Sequence, residues 1–121
     1  MAERLFSKHH IWVLKEGDTG ILGITDHAQE KLKSIMFVNL PDTGDMISDG
    51  KRFGDIESIK TVSDLIAPVS GEVTDVNEEL IDSPELLNDA PYDNWLIKVK
   101  NISSLEDLMD EETYLKSKDD P

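Results

Sequence analysis

Three histidines, His9, His10 and His27, are the side chains whose type could bind a metal ion. His9 and His10 are adjacent, so in a strand they would point to opposite faces and could not share an ion. His27 stands beside Asp26, and the sequence contains no H-E-x-x-H or similar spacing of ligands. The sequence therefore predicts no metal site.

No motif of an independent catalytic centre is present either. The serines do not lie in a G-x-S-x-G elbow, and no glycine-rich phosphate loop occurs. The chain has no cysteine, which excludes thiol nucleophiles, disulfides, zinc–thiolate sites and iron–sulfur clusters. Carboxylate pairs are uninformative in a chain this acidic. We therefore expect a protein that is not itself an enzyme.

The charge balance narrows the class of partner. The 121 residues include 12 Lys and Arg against 26 Asp and Glu, a net charge of −14. Such a chain repels nucleic acid and anionic membranes, and it favours partners with a basic docking face in salt-sensitive contacts. No run approaches ~20 apolar residues, and the first ten residues do not resemble a signal peptide. We expect a cytoplasmic location.

Short strands must position whatever chemistry the chain carries. Apolar runs predict strands at 11–14 and 21–24, joined by a turn at Gly17, and Thr25 can cap a helix over 26–33. Further strands are predicted at 36–40, 53–59, 61–66, 72–76 and 95–99, with a weak one at Ile47. The tip near 58–60 lacks the Asn-Gly or Asp-Gly pair of a tight hairpin.

Two helices complete the prediction. Ser83-Pro84-Glu85 is a helix start, and Ser104 could cap a final helix carrying Leu105, Leu108 and Met109. Short strands with turns every 8–12 residues indicate a β-sandwich or barrel. We expect residues 1–121 to form a single domain.

The segment 54–73 resembles the lipoylation region of the glycine cleavage system H proteins. It contains E-S-I-K-T at 57–61 and A-P-V-S-G-E-V at 67–73, the second nearly a family signature. The resemblance covers essentially the whole chain in order. Other matches are G-I-T-D-H-A-Q at 23–29, F-V-N-L-P at 37–41, N-E-E-L at 77–80, D-S-P-E-L-L-N at 82–88, P-Y at 91–92 and W-L-I-K-V-K at 95–100.

This resemblance implies a fold and a cofactor. The family fold is a flattened barrel-sandwich hybrid of the lipoyl and biotinyl type: two antiparallel sheets, short peripheral helices and a C-terminal helix. The family lysine carries lipoate through an amide bond at a hairpin tip, and here it is Lys60. Glu57 corresponds to an acid that helps the attaching enzyme recognise the site, and His27 to a histidine in the cleft near the arm. Apart from the resemblance, Lys60 would be an ordinary solvated lysine.

The implied function is a carrier role. The lipoyl arm would shuttle the aminomethyl intermediate of glycine decarboxylation between glycine decarboxylase and aminomethyltransferase, with dihydrolipoyl dehydrogenase as a third partner. A lipoate ligase or a lipoyl or octanoyl transferase would load Lys60. We expect a monomer, because a carrier must visit several enzymes, with no nucleic acid and no membrane as partner.

Some residues depart from the family pattern. The family motif K-E-H-E-W is here K-H-H-I-W at 8–12, so His9 and Ile11 replace glutamates. A charged amine favours a carboxylate partner, which Ile11 cannot supply. Lys33 and Ser34 stand where the family often has Gly-Asp. Three alternatives therefore remain open: a lipoyl relay to other complexes, a carrier in sulfur oxidation with a heterodisulfide-reductase-like complex, and a binding module without cofactor.

Overall fold

The computed structural model describes residues 3–118, without the side chain of Lys118, as nine strands and four short helices. The strands are β1 (Glu3–Phe6), β2 (Ile11–Glu16), β3 (Thr19–Ile24), β4 (Ile35–Asn39), β5 (Met46–Ile47), β6 (Arg52–Ser58), β7 (Val62–Ile66), β8 (Ser70–Val76) and β9 (Ile97–Ser103). The helices are α1 (Asp26–Leu32), α2 (Glu79–Asp82), α3 (Leu86–Asp89) and α4 (Glu111–Lys118). No helix within residues 3–118 is long and apolar enough to span a membrane.

The strands form two sheets in which every described pair is antiparallel. The larger sheet has the order β1-β2-β3-β9-β8-β5, and the smaller has the order β4-β6-β7. The architecture that the family resemblance implied is therefore confirmed: a mainly β protein of two antiparallel sheets with short helices and a helix near the C-terminus.

One hydrophobic core joins the two sheets. The alternation of apolar and polar residues turns one face of each strand inward, and burial of those side chains drives the sheets together. Its buried members come from both sheets, and they include Val13, Leu22, Val73 and Val99 of the larger sheet and Val38, Ile56 and Leu65 of the smaller. A second, smaller cluster contains Phe6, Trp12 and Tyr114.

Local signals near the N-terminus are confirmed. Gly17 and Asp18 form the two-residue loop between β2 and β3, and Gly17 has φ +62°, a conformation that favours glycine. Thr25 caps α1, because its hydroxyl accepts a hydrogen bond from the Ala28 N–H at 3.2 Å.

The predicted start of the last helix is wrong. Ser104 has φ +65°, which is not the extended conformation of a helix cap, and α4 begins only at Glu111. Met109 is unavailable for a helix because its N–H and carbonyl pair with Phe6, at 2.7 and 2.8 Å. Asp110 performs the capping instead, accepting a hydrogen bond from the Thr113 N–H at 2.8 Å.

Other boundaries differ from the prediction by a few residues. Strand β9 begins at Ile97 rather than Trp95, whose carbonyl accepts a hydrogen bond from Asn77 Nδ2 at 2.8 Å. Helix α3 begins at Leu86, three residues after Ser83. Strand β1 and helix α2 were not predicted, because four-residue segments carry too little periodicity to recognise.

Candidate functional site

Lys60 lies exposed at the tip of the hairpin formed by β6 and β7. The last paired residues of the two strands are Glu57 and Val62. Beyond them the Ser58 N–H donates to the Thr61 carbonyl at 2.8 Å, which leaves Ile59 and Lys60 as a two-residue loop. The exposed lysine side chain therefore extends from the end of the hairpin.

The hydroxyl of Ser58 holds this tip together. Its Oγ accepts hydrogen bonds from the N–H groups of Lys60 (3.3 Å) and Thr61 (3.2 Å), and it donates to the Thr61 carbonyl at 3.2 Å. Two accepted bonds and one donated bond use the full capacity of a hydroxyl. Two-residue hairpins usually need a positive φ, yet residues 58–61 have none. The hydrogen bonds of Ser58 thus stabilise a turn that lacks the Asn-Gly pair typical of tight hairpins.

A second set of hydrogen bonds joins the tip to the segment 33–35 and supports that segment through Asn88. The Ile59 N–H donates to the Ser34 carbonyl at 3.1 Å. On either side of Ser34, the Asn88 amide accepts from the Ile35 N–H at 3.0 Å and donates to the Lys33 carbonyl at 2.6 Å. Ser58 and Asn88 were both missed as site residues, because their role depends on hydrogen bonds that only the folded chain reveals.

The outer face of the smaller sheet continues the site. Phe37 of β4, Glu57 of β6 and Val62 of β7 are direct neighbours across the three strands, so their side chains share one face. Phe37 and Val62 are exposed, and Glu57, predicted to assist recognition, is half-buried between them. The structure therefore places Glu57 three residues from Lys60, within an apolar row beside the tip.

A charged row follows on the same face. Asn39, Asp55 and Asp64 are paired across the strands, and Asn39 Nδ2 donates to Asp55 at 2.7 Å. Arg52 bridges both carboxylates: its Nη2 contacts Asp55, and its Nε lies 3.0 Å from Asp64. The hydrogen bond to Asp64, and to a smaller extent the one to Asp55, raises the pKa of Arg52. The guanidinium thus offsets the repulsion between two facing carboxylates.

His27 lies in a different cluster. Its ring packs on that of His10, with centroids 4.4 Å apart, and His10 Nδ1 shares a hydrogen bond of 2.7 Å with the Tyr114 hydroxyl. That hydroxyl also bonds Thr25 Oγ1 at 2.8 Å. No contact described within residues 3–118 joins His27 to the tip, so its predicted place near the arm stays a prediction.

The two residues that depart from the family motif, His9 and Ile11, lie in different environments. Ile11 is only 2% exposed and packs in the main core. His9 lines an open cavity of about 260 Å³ together with Lys8, Asp49 and Asp107. Within residues 3–118 no three His, Asp or Glu side chains are grouped as metal ligands would be.

Comparison with known proteins identifies the family. The family model for the glycine cleavage H-protein matches residues 4–120. The chain belongs to this family. It is 51% identical over 115 residues to the glycine cleavage system H protein of Staphylococcus carnosus (strain TM300), covering 93% of this chain and 91% of that protein. The H protein of Staphylococcus saprophyticus (subspecies saprophyticus) is 51% identical over 116 residues, with coverages of 93% and 92%.

The fold agrees with that of a solved H protein. The crystal structure of a glycine cleavage system H protein from Mycobacterium marinum superposes with a TM-score of 0.87 at 34% identity, covering 97% of each chain. This confirms the barrel-sandwich fold that the resemblance implied. Membership in the H-protein family supports a lipoyl carrier role in glycine cleavage.

Proposed function

We propose that Lys60 carries lipoate through an amide bond, and that this H protein passes the aminomethyl group of glycine decarboxylation between glycine decarboxylase and aminomethyltransferase. The observation that carries the proposal is the exposed position of Lys60 on a hydrogen-bonded hairpin tip, in a chain of the H-protein family. Lipoate attaching enzymes and dihydrolipoyl dehydrogenase are further partners. The chain itself is a carrier component and not the catalyst.

The residues present fit such a group. Attachment needs an accessible primary amine, and the Lys60 side chain is exposed. Ser58 fixes the backbone from which the lysine extends, so flexibility resides in the side chain and the attached arm rather than in the hairpin. When bound, lipoate supplies a dithiolane that takes up and releases the transferred group.

Glycine cleavage is favoured over the other lipoyl carrier roles. The relatives with 51% identity are glycine cleavage system H proteins, and the match covers more than nine-tenths of each chain. The replacement of two family glutamates by His9 and Ile11 remains the feature that separates this chain from the family motif. The Ile11 side chain is a hydrocarbon that packs in the main core, so it offers no carboxylate to an amine carried by the arm.

The proposal includes a single carrier domain over residues 1–121 that acts as a monomer in the cytoplasm. The single main core, to which both sheets contribute, supports the single domain. A small carrier presents its tip to one enzyme after another, and a monomer leaves every approach to the tip open.

Intact mass spectrometry of the protein from its native host tests the proposal. We expect a mass increase of one lipoyl group, located by fragmentation on Lys60, and no increase in Lys60→Arg. Glycine decarboxylase should then load the modified protein from glycine. An unmodified Lys60 in a host that lipoylates its other carriers would contradict the attachment, and a lipoylated protein that glycine decarboxylase cannot load would contradict the pathway.

A further inference from the structure

Exposed apolar side chains are concentrated around the Lys60 tip. Seven large hydrophobic side chains are exposed within residues 3–118, and four of them surround this hairpin end. We define these four as the tip patch: Met36 (49% exposed), Phe37 (59%), Ile59 (70%) and Val62 (57%). Single exposed apolar residues are ordinary, but a contiguous group of them marks an interaction surface.

Strand pairing places two members of the tip patch, Phe37 and Val62, on the same face of the smaller sheet. Phe37 and Val62 lie in the same cross-strand row on either side of Glu57. The pairing of β4 with β6 shifts between Ile35 and Phe37, and this irregularity leaves Met36 and Phe37 both exposed where strict alternation would bury one. Ile59 adjoins Lys60 in the loop itself.

The tip patch is not part of the main hydrophobic core. The inner face of the same three strands already contributes Val38, Ile56 and Leu65, each at most 6% exposed. Polar residues in place of the tip patch would leave that core intact. The patch is therefore available for contact with another molecule, beside the exposed Lys60.

We infer that the tip patch is the docking surface of the enzyme that attaches lipoate to Lys60. The inference rests on the proposed function. An enzyme that acylates Nζ must bring its active site within the length of one lysine side chain, roughly 6 Å from the tip backbone, and must therefore cover the residues beside it. Enzymes that act on the loaded arm meet its far end and can work at a greater distance from the tip.

The charge and polarity of the residues beside the tip indicate what kind of surface the partner presents. Glu57 sits between two exposed apolar side chains, so a matching surface would be apolar with one Lys or Arg opposite Glu57. The Glu57 carboxylate and its cationic partner would make the contact depend on salt, while the flanking apolar pair, Phe37 and Val62, would contribute the larger part of the binding energy.

The test is the rate of lipoylation of the unmodified protein by a purified lipoate ligase with ATP and lipoate. Phe37→Thr, Val62→Thr and the double variant remove apolar surface and retain a residue suited to strands. Met46→Thr is the matched control, because Met46 is 70% exposed but belongs to β5 in the other sheet. We expect kcat/KM to fall roughly tenfold or more in the double variant, and less than about twofold in the control.

Two readouts separate docking from general damage. The thermal midpoints of all variants should match that of the wild type, since the replaced side chains are exposed. Prolonged incubation with the ligase should lipoylate the double variant completely. Glycine decarboxylase should then transfer the aminomethyl group to its lipoyl arm at a rate within about twofold of the wild type. Glu57→Gln should lower kcat/KM for the ligase and weaken its dependence on salt.

Different results overturn different statements. Equal lipoylation of the wild type and the double variant would refute the docking surface and leave attachment at Lys60 standing. A parallel loss of lipoylation and of loading by glycine decarboxylase would refute the assignment to the attaching enzyme. A wild type that neither a ligase nor a lipoyl or octanoyl transferase modifies at Lys60 would refute the proposed function and this inference together.

Discussion

Polar groups form their hydrogen bonds in an exposed setting at the Lys60 tip and in a buried setting in the cluster of Phe6, Trp12 and Tyr114. At the tip, the Ser58 hydroxyl bonds exposed backbone, and the neighbouring Phe37 and Val62 face outward. In the cluster, the Tyr114 hydroxyl lies between Thr25 and His10 on a side chain that is 1% exposed. The comparison teaches that the tip leaves apolar side chains exposed to solvent, whereas the cluster buries its aromatic side chains and joins distant segments of the chain.

The cluster joins segments that are far apart in sequence. The rings of Phe6 and Tyr114 stack with centroids 4.9 Å apart, and Trp12 Nε1 donates to the Pro91 carbonyl at 3.1 Å. The Arg4 guanidinium lies 4.7 Å from the centroid of the Trp12 ring. Tyr114, a buried residue of α4, joins this helix to β1 through its stack on Phe6 and to His10 and Thr25 through its hydroxyl.

The largest expected effect is a loss of stability in Trp12→Ala. Removing a fully buried aromatic side chain typically costs about 3–5 kcal/mol, and here the Pro91 carbonyl also loses its donor. Phe37→Ala, at an exposed aromatic residue of the tip patch, should cost less than about 0.5 kcal/mol. Urea denaturation of both variants measures the difference, and similar losses in the two would break the comparison.

The second prediction concerns Tyr114→Phe. Loss of the hydroxyl leaves Thr25 and His10 without a bond that each now makes, at a cost of about 1–3 kcal/mol near neutral pH. Burial raises the pKa of Tyr114, and the hydrogen bond to Thr25 opposes that rise in part. The folded pKa therefore exceeds the unfolded value, so this stabilisation is complete below about pH 10 and is lost as the pH rises through the folded pKa.

Denaturation at two pH values checks that sign. The gap in stability between the wild type and Tyr114→Phe should be larger at about pH 8 than at about pH 11, because only the wild type loses the contribution of a neutral tyrosine. A gap that widens at the higher pH would mean that the hydroxyl does not titrate as its burial implies.

Ser58→Ala should lower stability less than Trp12→Ala or Tyr114→Phe and should have the largest effect on the structure of the tip. The hydroxyl is part of an exposed turn, so the cost should stay below about 1 kcal/mol. Amide hydrogen exchange at Lys60 and Thr61 should nevertheless accelerate, and lipoylation should slow several-fold, because the lysine backbone is less fixed. Ser58→Thr restores a hydroxyl and should recover most of both properties; exchange that is unchanged in Ser58→Ala would show that the serine does not position the tip.

Local patterns predicted most of the strands. The alternation at 72–76, the apolar runs at 11–14 and 21–24, and the cap at Thr25 each depend on residues a few positions apart, and the structure confirms them. The last helix was misplaced because Ser104 and Leu105 resemble a helix start locally. The competing bridge between Phe6 and Met109 joins residues from opposite ends of the chain, which no local pattern reveals.

By itself, the sequence determined the family and the lysine to examine, because E-S-I-K-T and A-P-V-S-G-E-V are contiguous motifs that can be read without a structure. Tertiary structure alone decided what surrounds that lysine. Phe37 and Val62 become neighbours only through the register of β4, β6 and β7, and His27 meets His10 only through the packing of α1 on the segment before β2. Turn and strand preferences act over a few residues, whereas the neighbours of a side chain are set by sheet register and core packing across the whole chain.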